Sequence, residues 1–180
     1  MTRSLVILSS VAVLIAAILA SLSLLTRPAS SAAVSQQQSG FLMLPPAAPA
    51  GQMTLYGHVK TLSRKSGRYL LGFDPAWFTS GITASRAKLA DTGSSDVPND
   101  NYVVEEGHRL LTYVVPAAAR VTVLTNNGTV WITSTPISVS ELARIVNGGA
   151  HRTLFESLDS GVWIRVRIDK VLELDQQYKP

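Results

Sequence analysis

The string Asp91-Thr92-Gly93-Ser94-Ser95 carries the residue types of an aspartic-protease active site. In such enzymes two carboxylates share one proton, because like charges a few ångströms apart resist being ionised together. One copy per chain would imply a retropepsin-like homodimer with Asp91 as the catalytic residue. That chemistry needs an apolar strand leading into the aspartate. Here the approach is Ala84-Ser85-Arg86-Ala87-Lys88-Leu89-Ala90, which reads as helix, and the stretch from Ser95 to Asp100 reads as loop. Proteolysis through Asp91 therefore stands as an alternative, behind a binding role.

The same loop gathers Asp91, Asp96, Asn99 and Asp100, oxygen donors of the kind calcium prefers. Their spacing is not that of an EF-hand, and Asp and Asn are also ordinary turn formers. A calcium-dependent adhesion module is a second alternative. His58, His108 and His151 lack the paired spacing of a zinc site. No serine stands in a nucleophile-elbow pattern, and no glycine-rich loop between a strand and a helix suggests phosphate binding. With no cysteine, the chain has no disulfide, no thiolate metal site and no cysteine nucleophile.

A third set is basic. Arg165 and Arg167 alternate onto one strand face, and a hairpin contributes Arg64, Lys65, Arg68 and Tyr69. Barrels of the OB type bind strands of nucleic acid or sugar on such faces, which makes Arg165, Arg167, Tyr69 and Arg68 the candidate ligand contacts. The competing reading is a solvated face balanced by Glu173 and Asp175. Trp77, Trp131 and Trp163 are candidates for a sugar groove or for packing. Asn127-Gly128-Thr129 has the form of a glycosylation acceptor, but a hairpin turn explains it equally well. Setting aside Arg3 and Arg27, the 16 Lys+Arg fall to 14 against 12 Asp+Glu. So mild an excess argues against nucleic acid or anionic lipid as a default partner.

The elements that must position these residues begin after two unlike segments. From Leu5 to Leu25 no residue is charged, a stretch long enough to cross a bilayer. Residues 1–27 are expected to form an uncleaved anchor or a signal peptide, with the small residues Ala29 to Ala33 as a cleavage site in the second case. Residues 28–53, rich in Ala, Ser, Gln and Pro, read as a disordered tether. Within it Phe41-Leu42-Met43-Leu44 is an apolar island.

Residues 54–180 read as one β-rich domain. The expected strands are Leu55 to Leu62, Arg68 to Phe73 closed by Asp74-Pro75, Tyr102 to Glu105, Leu110 to Val115, and Val121 to Thr125. Asn127-Gly128 should form a tight turn returning through Thr129 to Thr133. Val162 to Ile168 and Val171 to Leu174 flank a turn at Asp169-Lys170, with Ile164, Val166 and Ile168 on the core side. A short helix, preceded by a threonine able to cap it, is expected over Thr83 to Ala90. Ser138 and Glu141 form a capping box for a second helix, with Leu142, Ile145 and Val146 on its apolar face and Asn147-Gly148 at its end. The pattern fits a mainly β fold with one or two short helices, a small OB-like β-barrel plugged by a helix. A two-layer α+β sandwich is the alternative.

Phe73-Asp74, then Val97-Pro98-Asn99-Asp100 with Tyr102 close behind, then Leu174-Asp175-Gln176-Gln177-Tyr178 and Pro180 follow the motif order of an uncharacterised family. Its members are secreted or membrane-anchored proteins of actinomycetes and other Gram-positive bacteria, and this chain resembles them from about Leu55 to its C-terminus. The resemblance implies an extracytoplasmic location and a shared small fold, and it implies no activity. Members commonly place a second tyrosine after the Asn-Asp pair; Asn101 stands there in this chain, which reduces any ring stacking at that spot. The expected function is accordingly an extracytoplasmic, non-enzymatic binding or envelope-associated module, secreted or held at the membrane by its N-terminal helix, with an unknown envelope component or protein as partner.

Overall fold

Alternating apolar residues build two long strands, β1 (Met53–Lys65) and β2 (Arg68–Ser80), paired antiparallel from Tyr56↔Ala76 to Lys65↔Arg68. The computed structural model describes residues 45–107, 109–126, 128 and 132–179, all within one compact unit, Gly40–Pro180. No helix among them is long and apolar enough to cross a membrane. The expected span from Leu5 to Leu25 lies outside the described residues, as do Phe41 to Leu44.

β2 runs straight through Asp74-Pro75, which the sequence had suggested as its end. Its outer partner changes there. Residues 69–73 pair with β4 (Leu111–Val115), and residues 76–80 pair with β3 (Asn101–Glu105). The ladder on that side is thus interrupted at positions 74 and 75, where a proline without an N–H is tolerated.

Five strands close into a barrel in the order β1, β2, β4, β8 (Lys170–Gln176), β7 (Val162–Arg167) and back to β1. Closure sets aside the open two-layer arrangement. The closing seam is the parallel contact of β4 with β8, where Val114 pairs with Lys170 and its N–H donates to the Asp169 carbonyl at 2.8 Å. After a turn at residues 116–119, β5 (Arg120–Asn126) continues parallel to β8 and carries β6 (Ile132–Ile137) at its outer edge.

The barrel interior is filled by Leu62, Leu71, Phe73, Val115, Val162, Ile164, Val166, Val171 and Leu174. Each contributes about 1.5–3 kcal/mol by leaving water. Helix α2 (Val139–Val146) lays Val139 and Leu142 onto that core, with Ile145 and Val146 at its margin. Asn147 ties its C-terminus to the barrel by donating from Nδ2 to the Leu62 carbonyl at 3.0 Å.

Half of the expected capping box forms. Ser138 Oγ accepts from the Glu141 N–H at 3.1 Å, while the Glu141 carboxylate holds Arg152 at 2.6 and 3.2 Å. The ion pair lowers the Glu141 pKa, Arg152 being the main cause. Helix α1 (Gly81–Thr92) is longer than expected at both ends. Ser80 precedes it without a side-chain capping bond, and Thr79 instead donates to the Tyr102 carbonyl at 2.7 Å.

The expected turn at Asn127 and its return through Thr129 to Trp131 lie outside the described residues, Gly128 excepted. On either side of that stretch Asn126 pairs with Ile132. In the last hairpin Arg167 pairs with Lys170, which moves the turn to Ile168-Asp169. Ile168 therefore leaves the core face assigned to it. It is 91% exposed and has φ +59, in a turn position where glycine is normally found.

The C-terminal glutamines act as buried clamps. Gln176 accepts from the Leu124 N–H at 2.8 Å and donates to the carbonyls of Glu156 and Ser157 at 3.0 and 3.2 Å. Gln176→Ala should destabilise the domain by about 2–4 kcal/mol, since it strips partners from buried backbone groups. Urea unfolding checks this, and an unchanged midpoint would refute it. Ile168→Gly should act oppositely, raising stability by about 0.5–1 kcal/mol as relief of left-handed strain outweighs the added backbone freedom.

Candidate functional site

Three turns meet at one end of the barrel. The β1–β2 turn is Ser66-Gly67, both with positive φ, and it places Lys65 opposite Arg68 and Arg64 opposite Tyr69. Pairing of Tyr69 with Val115 and of Val114 with Lys170 brings this hairpin beside the Ile168-Asp169 turn. Pro116 and Ala117, in the break between β4 and β5, complete the rim. Between them lies a shallow cleft of about 330 Å³, with Arg68, Tyr69, Pro116, Asp169 and Lys170 in its wall.

The charge at this end is one-sided. Arg64, Lys65, Arg68, Arg167 and Lys170 are all exposed, and none of them forms an ion pair among the described residues. Asp169 is the one acidic side chain in the turns. Arg64 lies 5.8 Å from the Tyr69 ring centroid, a cation–π contact that orients both groups.

The carboxylates that the sequence offered as a balance are engaged elsewhere. Glu173 holds Arg165 at 2.7 Å and Arg120 at 3.0 Å. Asp175 holds Arg120 at 3.1 Å and accepts from the Thr122 hydroxyl at 2.5 Å. The Arg120 guanidinium is raised above its usual pKa, chiefly by the Glu173 hydrogen bond.

The four candidate ligand residues consequently divide. Arg68 and Tyr69 line the cleft, and Arg167 stands beside it as the partner of Lys170. Arg165, with a side chain only 15% exposed, belongs to the Glu173 network. Lys170, which sequence reading had treated as turn, joins the site instead. The available signal was that both tightly turned hairpins carry cations next to their turns.

The acidic loop follows directly on α1, as its helix-then-loop pattern suggested. Asp91 and Thr92 are the last residues of α1, and Gly93 caps it with φ +77, its N–H donating to the Leu89 carbonyl at 2.9 Å. The protease-like string is thus a helix C-terminus, in which glycine serves the left-handed cap. Asp91 accepts from the Tyr102 hydroxyl, which raises the Tyr102 pKa.

Asp96 receives Lys88 through its backbone carbonyl, and the Asn99 carbonyl accepts from the Asn101 side chain at 2.8 Å. Asp100, at φ +54, accepts the Gly81 N–H at 3.1 Å through its carbonyl. Among the described residues no group of three or more His, Cys, Asp or Glu is placed to hold a metal ion.

An aromatic cluster covers the outer face where β7, β1 and β2 meet. Tyr56 stands 5.0 Å from Trp163 and 5.2 Å from Phe78, ring centre to ring centre, and its hydroxyl donates to the Ser160 carbonyl at 2.8 Å. Trp163 and Trp77 line a common cleft of about 170 Å³. Trp163 also donates from Nε1 to Gln177 at 2.7 Å, and Trp131 lies outside the described residues. Both ring nitrogens of His58 face oxygen acceptors, Glu105 at 2.8 Å and the Asp159 carbonyl at 3.2 Å, which joins β1 to β3 and to the 158–160 turn.

No protein-family model matches this chain, and comparison with curated proteins and with solved structures likewise finds no match.

Burial pushes the Tyr56 phenol up to about 12, with smaller contributions from Glu105 and Glu156. A neutral Tyr56 therefore adds stability that is complete below pH 10 and is lost as pH rises from there through about 12. In an alkaline absorbance titration one phenol should ionise last, near pH 12, and Tyr56→Phe should remove that step. A last step that survives the substitution would contradict the assignment.

Proposed function

We propose that the chain is an extracytoplasmic, non-enzymatic binding module on an OB-like barrel, secreted or tethered by its N-terminal apolar segment, and that its ligand is anionic and seats on the three-turn cleft. The observation that carries this reading is the group of five exposed cations without acidic partners. Elsewhere in the domain Lys60, Arg120, Arg152 and Arg165 are paired, and Arg86, Arg109, Arg144 and Lys179, exposed without an ion pair among the described residues, do not line this cleft.

Unpaired like charges repel one another, and an anion that neutralises them recovers that cost. The strand order supports the OB-like comparison, because the third and fifth barrel strands lie parallel and α2 stands between the third and fourth. In barrels of that type, the loop after the first strand and the loop before the last flank the ligand. The extracytoplasmic placement is supported by the apolar run from Leu5 to Leu25 and by the resemblance to secreted and membrane-anchored proteins.

The full chain should bind immobilised inorganic polyphosphate with an affinity that falls as salt screens the charges. The double variant Lys65→Glu with Arg68→Glu should abolish retention, whereas Lys179→Glu, outside the cleft, should leave it intact. Equal retention of both variants would overturn the assignment of the cleft.

A further inference from the structure

Resting on the anionic-ligand reading, we propose that the ligand is the anionic surface of a lipid bilayer, on which the basic end of the barrel docks with Ile168 entering the headgroup layer. Ile168 is the most exposed large apolar residue of the described chain, at 91%, and it forms the apex of the β7–β8 hairpin. Arg167 and Lys170 flank that apex, and Lys65 and Arg68 stand on the neighbouring hairpin across the cleft.

A β-branched residue at φ +59 is strained where glycine or asparagine would not be, so stability alone does not account for isoleucine here. An apolar tip flanked by Arg167 and Lys170 and facing Lys65 and Arg68, with Asp169 as the one acidic neighbour, matches the bilayer interface, where anionic headgroups take the net positive charge and the boundary of the acyl chains takes the side chain. A stacking surface for nucleic acid would need open aromatic faces, and the one ring in the cleft, Tyr69, is engaged by Arg64. The membrane-length run from Leu5 to Leu25 in the same chain supports a bilayer within reach.

The chain contains no cysteine, so a single introduced thiol can carry an environment-sensitive fluorophore without background. Full-length Ile168→Cys, labelled with such a probe, is mixed with vesicles of phosphatidylcholine alone or of equal parts phosphatidylcholine and phosphatidylglycerol. Because the readout is local to the hairpin tip, insertion of the N-terminal segment does not produce it.

A blue shift confined to the anionic vesicles is expected, together with no shift for a label at Ser95→Cys. Each of Arg68→Glu and Lys170→Glu, placed in the labelled chain, should weaken the response to lipid by at least about fivefold. Asp169→Cys gives a second probe site should the first variant fold poorly. No shift with anionic vesicles while polyphosphate still binds overturns the bilayer proposal and leaves the anionic-ligand reading standing. Loss of both overturns both, and an equal shift with neutral vesicles overturns the role of the cations.

Discussion

Closure of the sheet at the seam between β4 and β8 is the constraint on which the rest of this structure depends. The contact is short: Val114 opposite Lys170, fixed by the Val114 N–H on the Asp169 carbonyl. It is nevertheless what turns an open meander into a barrel. Without it Leu71, Val115 and Val171 would lie on an open sheet, and the turns of the first and last hairpins would not be brought together. The same seam that encloses the core therefore assembles the cleft. Structure and candidate function are joined at one backbone hydrogen bond and the apolar residues that make its formation worthwhile.

Around the barrel, buried polar groups are satisfied by a few side chains with many bonds each. Gln176 serves β5 and the 156–157 segment together, Gln177 holds Trp163, and the Tyr56 hydroxyl reaches Ser160. Gly161 has to be a glycine, because a Cβ there would come within 2.1 Å of the Tyr56 oxygen. The end of the chain is thus woven into the loops around the barrel. The ending Leu174-Asp175-Gln176-Gln177-Tyr178 has its explanation in hydrogen bonding and packing, so as a sequence motif it carries architecture more than chemistry.

Charge is sorted by position. On the sides of the barrel arginines and carboxylates neutralise each other, as in the chain from Arg165 through Glu173 and Arg120 to Asp175. At the turn end cations gather without partners. A balance of 14 Lys+Arg against 12 Asp+Glu, with Arg3 and Arg27 set aside, thus conceals a local excess, which is how a domain of mild overall charge can still present a basic surface. The protease-like and calcium-like strings have ordinary structural roles by comparison. Asp91-Thr92-Gly93 closes a helix, and Asp100 turns the chain into β3 while holding the start of α1 through its carbonyl.

Much of this could be read from the sequence, because local rules are written in local residues. Alternating apolar positions placed the strands of the barrel, the serine before Val139 started α2, and Asn147-Gly148 ended it. What failed were features set by partners distant in the chain. Pro75 lies inside a strand because β4 hands over to β3 beside it. Glu141 leaves its capping role for Arg152, and Ile168 loses its place in the core because the register of β7 with β8 puts the turn one residue earlier than the alternation suggested. The basic residues were visible as types, but their grouping was not. Sequence alone determined that Arg64, Lys65, Arg68, Arg165, Arg167 and Lys170 exist near turns and strands. Only the closed barrel decided that Arg165 spends its charge on Glu173 while the others converge unpaired, since electrostatic balance depends on distances between strands and not on spacing along them.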